Sequence, residues 1–263
     1  MFSNSRSEAA SSGITIKSPR ELEFMRQAGQ VVAITIARLM RFVSPGVSTK
    51  ECDAFAEREI RQLGAIPSFK GYQGFPATIC ISLNDEIVHG IPGARIIKSG
   101  DLVSVDVGAI VNGFHGDGAV TFGVGKSTPE AQALIDVTKE AVERGIQAAR
   151  PGARVGDISA AVEQFVEPQG YSVVREYVGH GIGRALHEAP QIPNYGPPGR
   201  GPLLLPGMVI AIEPMVNRGG WHTRVLEDQW TVVTADGSLS AHFEHTVAIT
   251  EDQPEVLTQV QSS

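Results

Sequence analysis

Leu102-Val103-Ser104-Val105-Asp106-Val107-Gly108-Ala109-Ile110-Val111-Asn112-Gly113-Phe114-His115-Gly116-Asp117-Gly118-Ala119-Val120 is the stretch that decides how this chain folds. Up to Val111 it alternates, with Val103, Val105 and Val107 on one face and Ser104, Asp106 and Gly108 on the other, the period of a strand. Asn112-Gly113 is the strongest short hairpin signal. With those two residues as the loop, Val111 pairs with Phe114 and Gly108 with Asp117. Asp106 and Asp117 then become diagonal neighbours on one face, roughly 7–8 Å apart at the backbone and within side-chain reach.

The hairpin has an echo. Val209-Ile210-Ala211-Ile212-Glu213 repeats the first strand and its acid, and Phe243-Glu244-His245-Thr246-Val247 repeats the second. Each pair of acids is preceded by the same helical grammar. Ser18-Pro19-Arg20-Glu21 carries the N-cap, first-turn proline and capping-box glutamate of a helix start, and that helix is expected to run to about Val43. Pro45-Gly46 breaks the chain, and a second helix over Ser48 to Leu63 has Cys52, Phe55, Ala56 and Ile60 on one face before Gly64 ends it. Thr128-Pro129-Glu130 opens a helix to about Ala149, Pro151-Gly152 breaks it, and a fourth runs from about Gly156 toward Gly170. Gly46 to Gly64 and Gly152 to Gly170 have the same spacing, so the copies hold register. The competing reading is a chance match of generic helix and strand patterns. Two similar halves, about 14–125 and 126–263, would make one domain with a site on the pseudo-twofold axis between them.

Such a site would gather Asp106, Asp117, His180, Glu213 and Glu244, four of them acids in segments that read as strands. A buried charge costs several kcal/mol unless it is paired, hydrogen-bonded or bound to a metal. Carboxylates about 4 Å apart repel by roughly 4 kcal/mol per pair at an effective dielectric near 20. Two divalent cations would balance four carboxylates. Surface salt bridges would not explain acids placed on strands and duplicated. Oxygen donors with one imidazole suit Mn, Fe, Co or Zn and leave the choice open.

The bulk numbers agree with a metalloenzyme and exclude other classes. At 263 residues, 42% hydrophobic and 19% charged, the chain has the composition of an ordinary globular protein. The net charge of −7 gives no general attraction to nucleic acid or anionic lipid, so specific DNA binding is not expected. Cys52 and Cys80 form no C-x-x-C pair, which excludes a disulfide framework and a zinc knuckle and fits an intracellular enzyme. Residues 1–13 are small and polar without an apolar core, the pattern of a disordered tail rather than a signal peptide. No apolar run approaches the roughly 20 residues of a membrane span.

Three histidines stand beside glycine or proline turns: His89 in Ile87-Val88-His89-Gly90-Ile91-Pro92, His180 in Val178-Gly179-His180-Gly181, and His187 in Ala185-Leu186-His187-Glu188. The glycines make only a weak phosphate-loop match, and neither H-E-x-x-H nor G-x-S-x-G occurs. Taken in order and spacing, these blocks resemble a type I methionine aminopeptidase over roughly residues 14 to 252. The resemblance implies an α+β pita-bread fold, a pseudo-twofold curved antiparallel sheet backed by helices. It also implies that Asp106 is bidentate to one metal, that Asp117 and Glu244 bridge both, and that His180 and Glu213 complete the ligand set of the other metal. By the same resemblance His89 faces the scissile amide nitrogen and His187 hydrogen-bonds the carbonyl as it becomes tetrahedral. Glu213 takes the proton of a metal-bridging water, and the product is the N-terminal methionine of peptides whose second residue is small.

Phe69, Tyr72, Phe75, Cys80, Met215 and Trp230 are candidates for an apolar pocket that holds the methionine thioether. Phe75 and Leu186 stand where relatives often carry tyrosine and a bulky aromatic. Glu213 and Glu244 are too close in sequence for the helical insertion of type II relatives. Prolidase-like relatives usually carry a large N-terminal domain, which the short tail does not provide. A binding protein on this fold would be expected to lose metal ligands, whereas all five are present. The resemblance further implies nascent chains as substrates, a cytoplasmic monomer and transient ribosome contact, for which Arg95, Lys98 and Arg218 are candidate basic residues.

Overall fold

Helix boundaries follow from capping chemistry. In a computed structural model that describes residues 13–260, α1 spans Pro19–Phe42 and α2 spans Thr49–Gln62. Both open on complete capping boxes, with the Glu21 carboxylate accepting the Ser18 N–H at 2.9 Å and the Glu51 carboxylate accepting that of Ser48 at 2.8 Å. Then come β1 (Ile66–Pro67), a 3-10 turn (Tyr72–Gly74), β2 (Ile79–Leu83), β3 (Glu86–Val88), β4 (Leu102–Val111) and β5 (Phe114–Gly123). The second half has α3 (Pro129–Ala148), α4 (Val155–Val166), β6 (Ser172–Val173), β7 (Gly179–Gly181) and β8 (Glu188–Ile192). It continues through β9 (Val209–Ile212), β10 (Met215–Asn217), β11 (Thr223–Val225), β12 (Val232–Thr234), β13 (Ser240–His242), β14 (Glu244–Ala248) and β15 (Glu255–Val256). Apart from Gly13, the tail expected at 1–13 lies outside the described residues.

The main sheet is ordered β1-β4-β5-β14-β9-β7-β8, with β2 also on β4 and β15 on β14, and its ladders are antiparallel. The halves therefore meet at β5 and β14. Two smaller sheets, β13-β10-β6 and β11-β12-β3, flank it.

The repeat extends to individual hydrogen bonds. Gly46 and Gly152 both adopt positive φ, at 100° and 86°, in the turns that open α2 and α4. Bridge Ser48↔Ile96 is matched by Arg154↔Leu203. The Ser68 N–H donates to Gly108 as the Val174 N–H does to Met215, both at 3.0 Å. Likewise Gly100 donates to Val124 and Gly207 to Ile249.

Alternation divides each sheet surface. Val103, Val105 and Val107 are fully buried with Val32, Ile36 and Leu39 of α1 and Ile60 of α2. Ile210, Ile212 and Val247 pack with Leu134, Val142, Ile158 and Val162 of α3 and α4. With the helices covering that face, the polar members of the strands are left to the other one. Two placements differ from expectation. Glu213 lies one residue past the end of β9, because Pro214 has no N–H to continue a ladder. His180, expected among glycine turns, sits inside β7.

Candidate metal centre and active site

Strand register assembles the centre. The β4–β5 hairpin turns at Asn112 (φ 50°) and Gly113 (φ 78°) and pairs Gly108 with Asp117 and Asp106 with Ala119, the alignment read from sequence. On the other side of β5, Glu244 faces Ala119 across the β5–β14 ladder. Ile212 pairs with His245, so the next residue, Glu213, comes level with Glu244. His180 enters from β7, whose Gly181 pairs with Ile210 of β9. Its flanking glycines are obligatory, since a Cβ on Gly179 would come within 2.3 Å of the Ala211 carbonyl oxygen and one on Gly181 within 2.1 Å of that of Ala189.

One ligand atom from each of Asp117, His180 and Glu244 lies within 4.8 Å of the other two. The His180 Nε2 is 3.5 Å from the Glu213 carboxylate. His180 donates its Nδ1 proton to the Gly181 carbonyl at 2.9 Å, which leaves the Nε2 lone pair free as a ligand. Asp106 Oδ1, Asp117 Oδ1 and Glu244 Oε1 are buried without a hydrogen-bond partner. Orphaned acceptors of this kind cost about 1–3 kcal/mol each, and more when charged.

Electrostatics follow from the crowding. Burial, then the neighbouring carboxylates, pushes Asp106, Glu213 and Glu244 well above the usual carboxylate range. Burial takes Asp117 up to about 7 despite its hydrogen bonds. Burial also holds His180 down to about 4, a neutral imidazole suited to ligation. Hard oxygen donors, one imidazole and unfilled acceptors facing one another fit divalent cations.

Beside this centre opens a cavity of ≈ 260 Å³. Phe69, Tyr72, Phe75, Cys80, Leu186 and Trp230 form its apolar lining, and His89 and His187 line it together with the acids. Phe75 and Trp230 meet edge to face at 5.1 Å. Cys80 lies opposite Asp106 in the β2–β4 ladder, so that it shares the face of the acids. Burial and then Asp106 hold its thiol well above the usual value, making it an apolar lining group rather than a thiolate ligand. His89 has φ 61°, a left-handed conformation that costs a non-glycine residue of order 1–3 kcal/mol and recurs at functional sites. Its ring is set edge-on to Tyr177 and Trp230.

Met215 is the exception among the expected pocket residues. It is fully buried with Ile87, Val88, Val174 and Val232, away from the cavity. Alternation from Glu213 would put it on the site face, but at Pro214 the chain leaves the main sheet for the β13-β10-β6 sheet and the periodicity restarts. Sequence reasoning missed Gln73, which lines the cavity, and His242, whose buried Nε2 has no hydrogen-bond partner and lies 3.9 Å from the Glu213 carboxylate. His242 carried a usable signal, standing two residues before Glu244 in the chain. It also missed Thr121 and Thr246, whose hydroxyls join β5 to β13 and β14, because ordinary strand threonines carry no mark of such a role.

An antiparallel sheet of two equivalent halves, with carboxylates and an imidazole converging at the junction, defines a metallopeptidase of pita-bread architecture. The chain belongs to metallopeptidase family M24, whose profile matches residues 23–251. It is 56% identical to methionine aminopeptidase 1 of Bacillus subtilis over 94% of this chain and 100% of that protein. It is 52% identical to the methionine aminopeptidase of Clostridium perfringens, over 94% and 99%. The crystal structure of methionine aminopeptidase from Thermotoga maritima superposes with a TM-score of 0.92 at 47% identity, covering 94% of this chain and 99% of that one. A prolidase from Pyrococcus horikoshii shares the fold, with a TM-score of 0.77 at 23% identity over 94% of this chain and 64% of its own.

Proposed function

We infer that this protein removes the N-terminal methionine from peptides and proteins in a metal-dependent hydrolysis. The observation that carries this reading is a single cavity lined on the one hand by Asp106, Asp117, His180, Glu213 and Glu244 and on the other by apolar side chains, with His89 and His187 in the same lining. Divalent cations held by Asp106, Asp117, His180, Glu213 and Glu244 would supply charge neutralisation, Lewis acidity and water activation near neutral pH. Two ions are proposed, because four carboxylates need that much positive charge; Mn, Fe, Co and Zn all suit the donors.

The residues divide the remaining work. Phe69, Tyr72, Phe75, Cys80, Leu186 and Trp230 bind the methionine side chain, whose thioether gains from aromatic contact. Glu213 accepts a proton from the attacking water, His187 donates to the carbonyl oxygen as it gains charge, and His89 faces the leaving amide nitrogen. Family resemblance supports these three roles, a small residue after the methionine, a cytoplasmic monomer and nascent chains met at the ribosome. No helix among the described residues is long and apolar enough to cross a membrane. Of the basic residues considered for ribosome contact, Arg95 is already paired with Glu86 at 2.6 Å, which leaves Lys98 and Arg218 as the better candidates.

Hydrolysis of Met-Ala-Ser and of an X-Pro peptide by metal-analysed protein tests the reading. Release of methionine in proportion to bound metal is expected. Cleavage of X-Pro with Met-Ala-Ser left intact would overturn it.

A further inference from the structure

Tyr72 and His187 come from opposite halves of the chain and meet over the cavity, with the phenolic oxygen 2.7 Å from Nδ1 of the imidazole. The rings overlap at 5.3 Å between centroids, 30° from parallel. On another side the His187 ring contacts that of His180, centroids 4.2 Å apart. His187 is thus held by neighbours on more than one side although it stands exposed at the cavity mouth.

The loop presenting Tyr72 is itself constrained. The Tyr72 N–H donates to Phe69, the Phe75 N–H to Tyr72 and the Gly71 N–H to Phe75, at 2.9, 2.8 and 2.8 Å. Gly71 (φ 88°), Gln73 (φ 48°) and Gly74 (φ 90°) take left-handed conformations that close this turn. A side chain placed by so tight a turn presents its hydroxyl at a defined point.

A phenol has one proton to donate, and a neutral imidazole has one donor and one acceptor nitrogen. The phenolic O–H is the more acidic donor of the two and the imidazole nitrogen the more basic acceptor, so the proton in this contact lies on Tyr72. We propose that Tyr72 is a positioning residue that holds His187 in its Nε2–H tautomer, so that His187 presents a donor to the scissile carbonyl. The opposite tautomer would present a lone pair to an oxygen gaining negative charge and would destabilise the transition state. This role is additional to Tyr72 as a wall of the pocket and rests on the function proposed above for His187.

The test uses metal-loaded enzyme and Tyr72→Phe, which keeps the ring and removes the hydroxyl. A kcat on Met-Ala-Ser lower by at least about 10-fold is expected, less than the roughly 10²–10⁴-fold of a positioned proton donor because His187 itself remains, with KM changed by less than about 2-fold. In a His187→Ala background the same substitution should lower kcat no further. Nitrogen-15 spectra of zinc-loaded protein should show His187 as Nε2–H in the wild type and shifted toward Nδ1–H in Tyr72→Phe. An unchanged kcat in Tyr72→Phe, an equal loss in both backgrounds, or a wild-type Nδ1–H tautomer would each overturn the proposal. The spectra do not depend on turnover. Wild-type protein inactive on Met-Ala-Ser would therefore refute the assigned function, while a tautomer shift in Tyr72→Phe would still support this assignment for Tyr72.

Discussion

Thr246 and Asp117 are joined by two hydrogen bonds that pass through one hydroxyl: the Asp117 N–H donates to Thr246 Oγ1 at 2.9 Å, and that hydroxyl donates to the Asp117 carbonyl at 2.7 Å. The β5–β14 ladder holds two residue pairs, Glu244↔Ala119 and His245↔Gly118. Beyond its other end Thr121 makes the same two contacts with the backbone of His242, both at 2.8 Å. A side-chain hydroxyl thus replaces the direct ladder at each end, and the halves are clamped where the Asp117 carboxylate, a proposed metal ligand, emerges. Thr246→Val should leave a buried N–H and a buried C=O unsatisfied, at about 1–3 kcal/mol each. Denaturant titration should show that loss, and metal affinity should fall by about 10–100-fold, as for other groups that orient a ligand. Thr246→Ser should retain both properties, and equal damage from serine would show that the hydroxyl is not the cause.

The crowded acids make the metal-free protein less stable than its fold allows. Asp106→Asn removes one buried charge and should raise the melting temperature of chelated protein by about 2–4 °C for each kcal/mol of repulsion relieved. Wild type in Mn at about 100 times Kd should gain about 2.7 kcal/mol by linkage, and the variant should gain little. Calorimetry with and without chelator measures both. A chelated Asp106→Asn protein less stable than wild type would contradict this view of the cluster.

Lys17 and Glu188 form an ion pair at 2.9 Å with side chains only 5% and 12% exposed, and the other Glu188 oxygen accepts the Ala185 N–H at 3.1 Å. Burial pushes the Glu188 pKa up, but hydrogen bonds from Thr15 and Lys17 outweigh it and hold the group below its ordinary value. A carboxyl with a depressed folded pKa contributes stability that is present above its ordinary value and lost as pH falls through the folded one. Lys17→Met strands the charge and should cost about 3–5 kcal/mol at pH 7. The deficit should narrow as pH falls through the carboxylate range and the stranded Glu188 takes up a proton. Urea unfolding across that range checks the sign, and a deficit that widened on acidification would count against the pair.

Gly29 marks where α1 presses on the C-terminal segment and on β5. A Cβ there would lie 2.3 Å from the Leu257 carbonyl oxygen, and one on Gly116 would lie 2.8 Å from the Gly29 nitrogen. Glycine to alanine inside a helix ordinarily stabilises by about 1 kcal/mol. Here the obstacle is backbone, and Gly29→Ala should instead destabilise by about 1–3 kcal/mol, as overpacking does. Thermal unfolding decides between the two signs.

Local chemistry made much of this molecule legible in one dimension. Ser18 with Glu21 announced a helix start, Asn112-Gly113 set the register of Asp106 against Asp117, and the spacing of glycines exposed the duplication. These are signals that act over a few residues, where capping, turn geometry and alternation leave little choice. Five of the six pocket candidates line the cavity for a related reason, as apolar groups on segments near His89 and the acid-bearing strands.

Met215, His242, Thr246 and the contact of Tyr72 with His187 lay beyond that range. Met215 was misplaced because a proline ended one sheet's alternation and a second sheet began. Thr246 and Tyr72 reach partners 129 and 115 positions away, and such partners follow only from how the halves dock. The sequence by itself determined the repeated elements, their caps and the acid-bearing strands, because those depend on neighbours along the chain. Tertiary structure alone decided which unlike side chains of the two halves would touch, because the docking of one sheet edge on another is settled by packing across the junction, which no local pattern encodes.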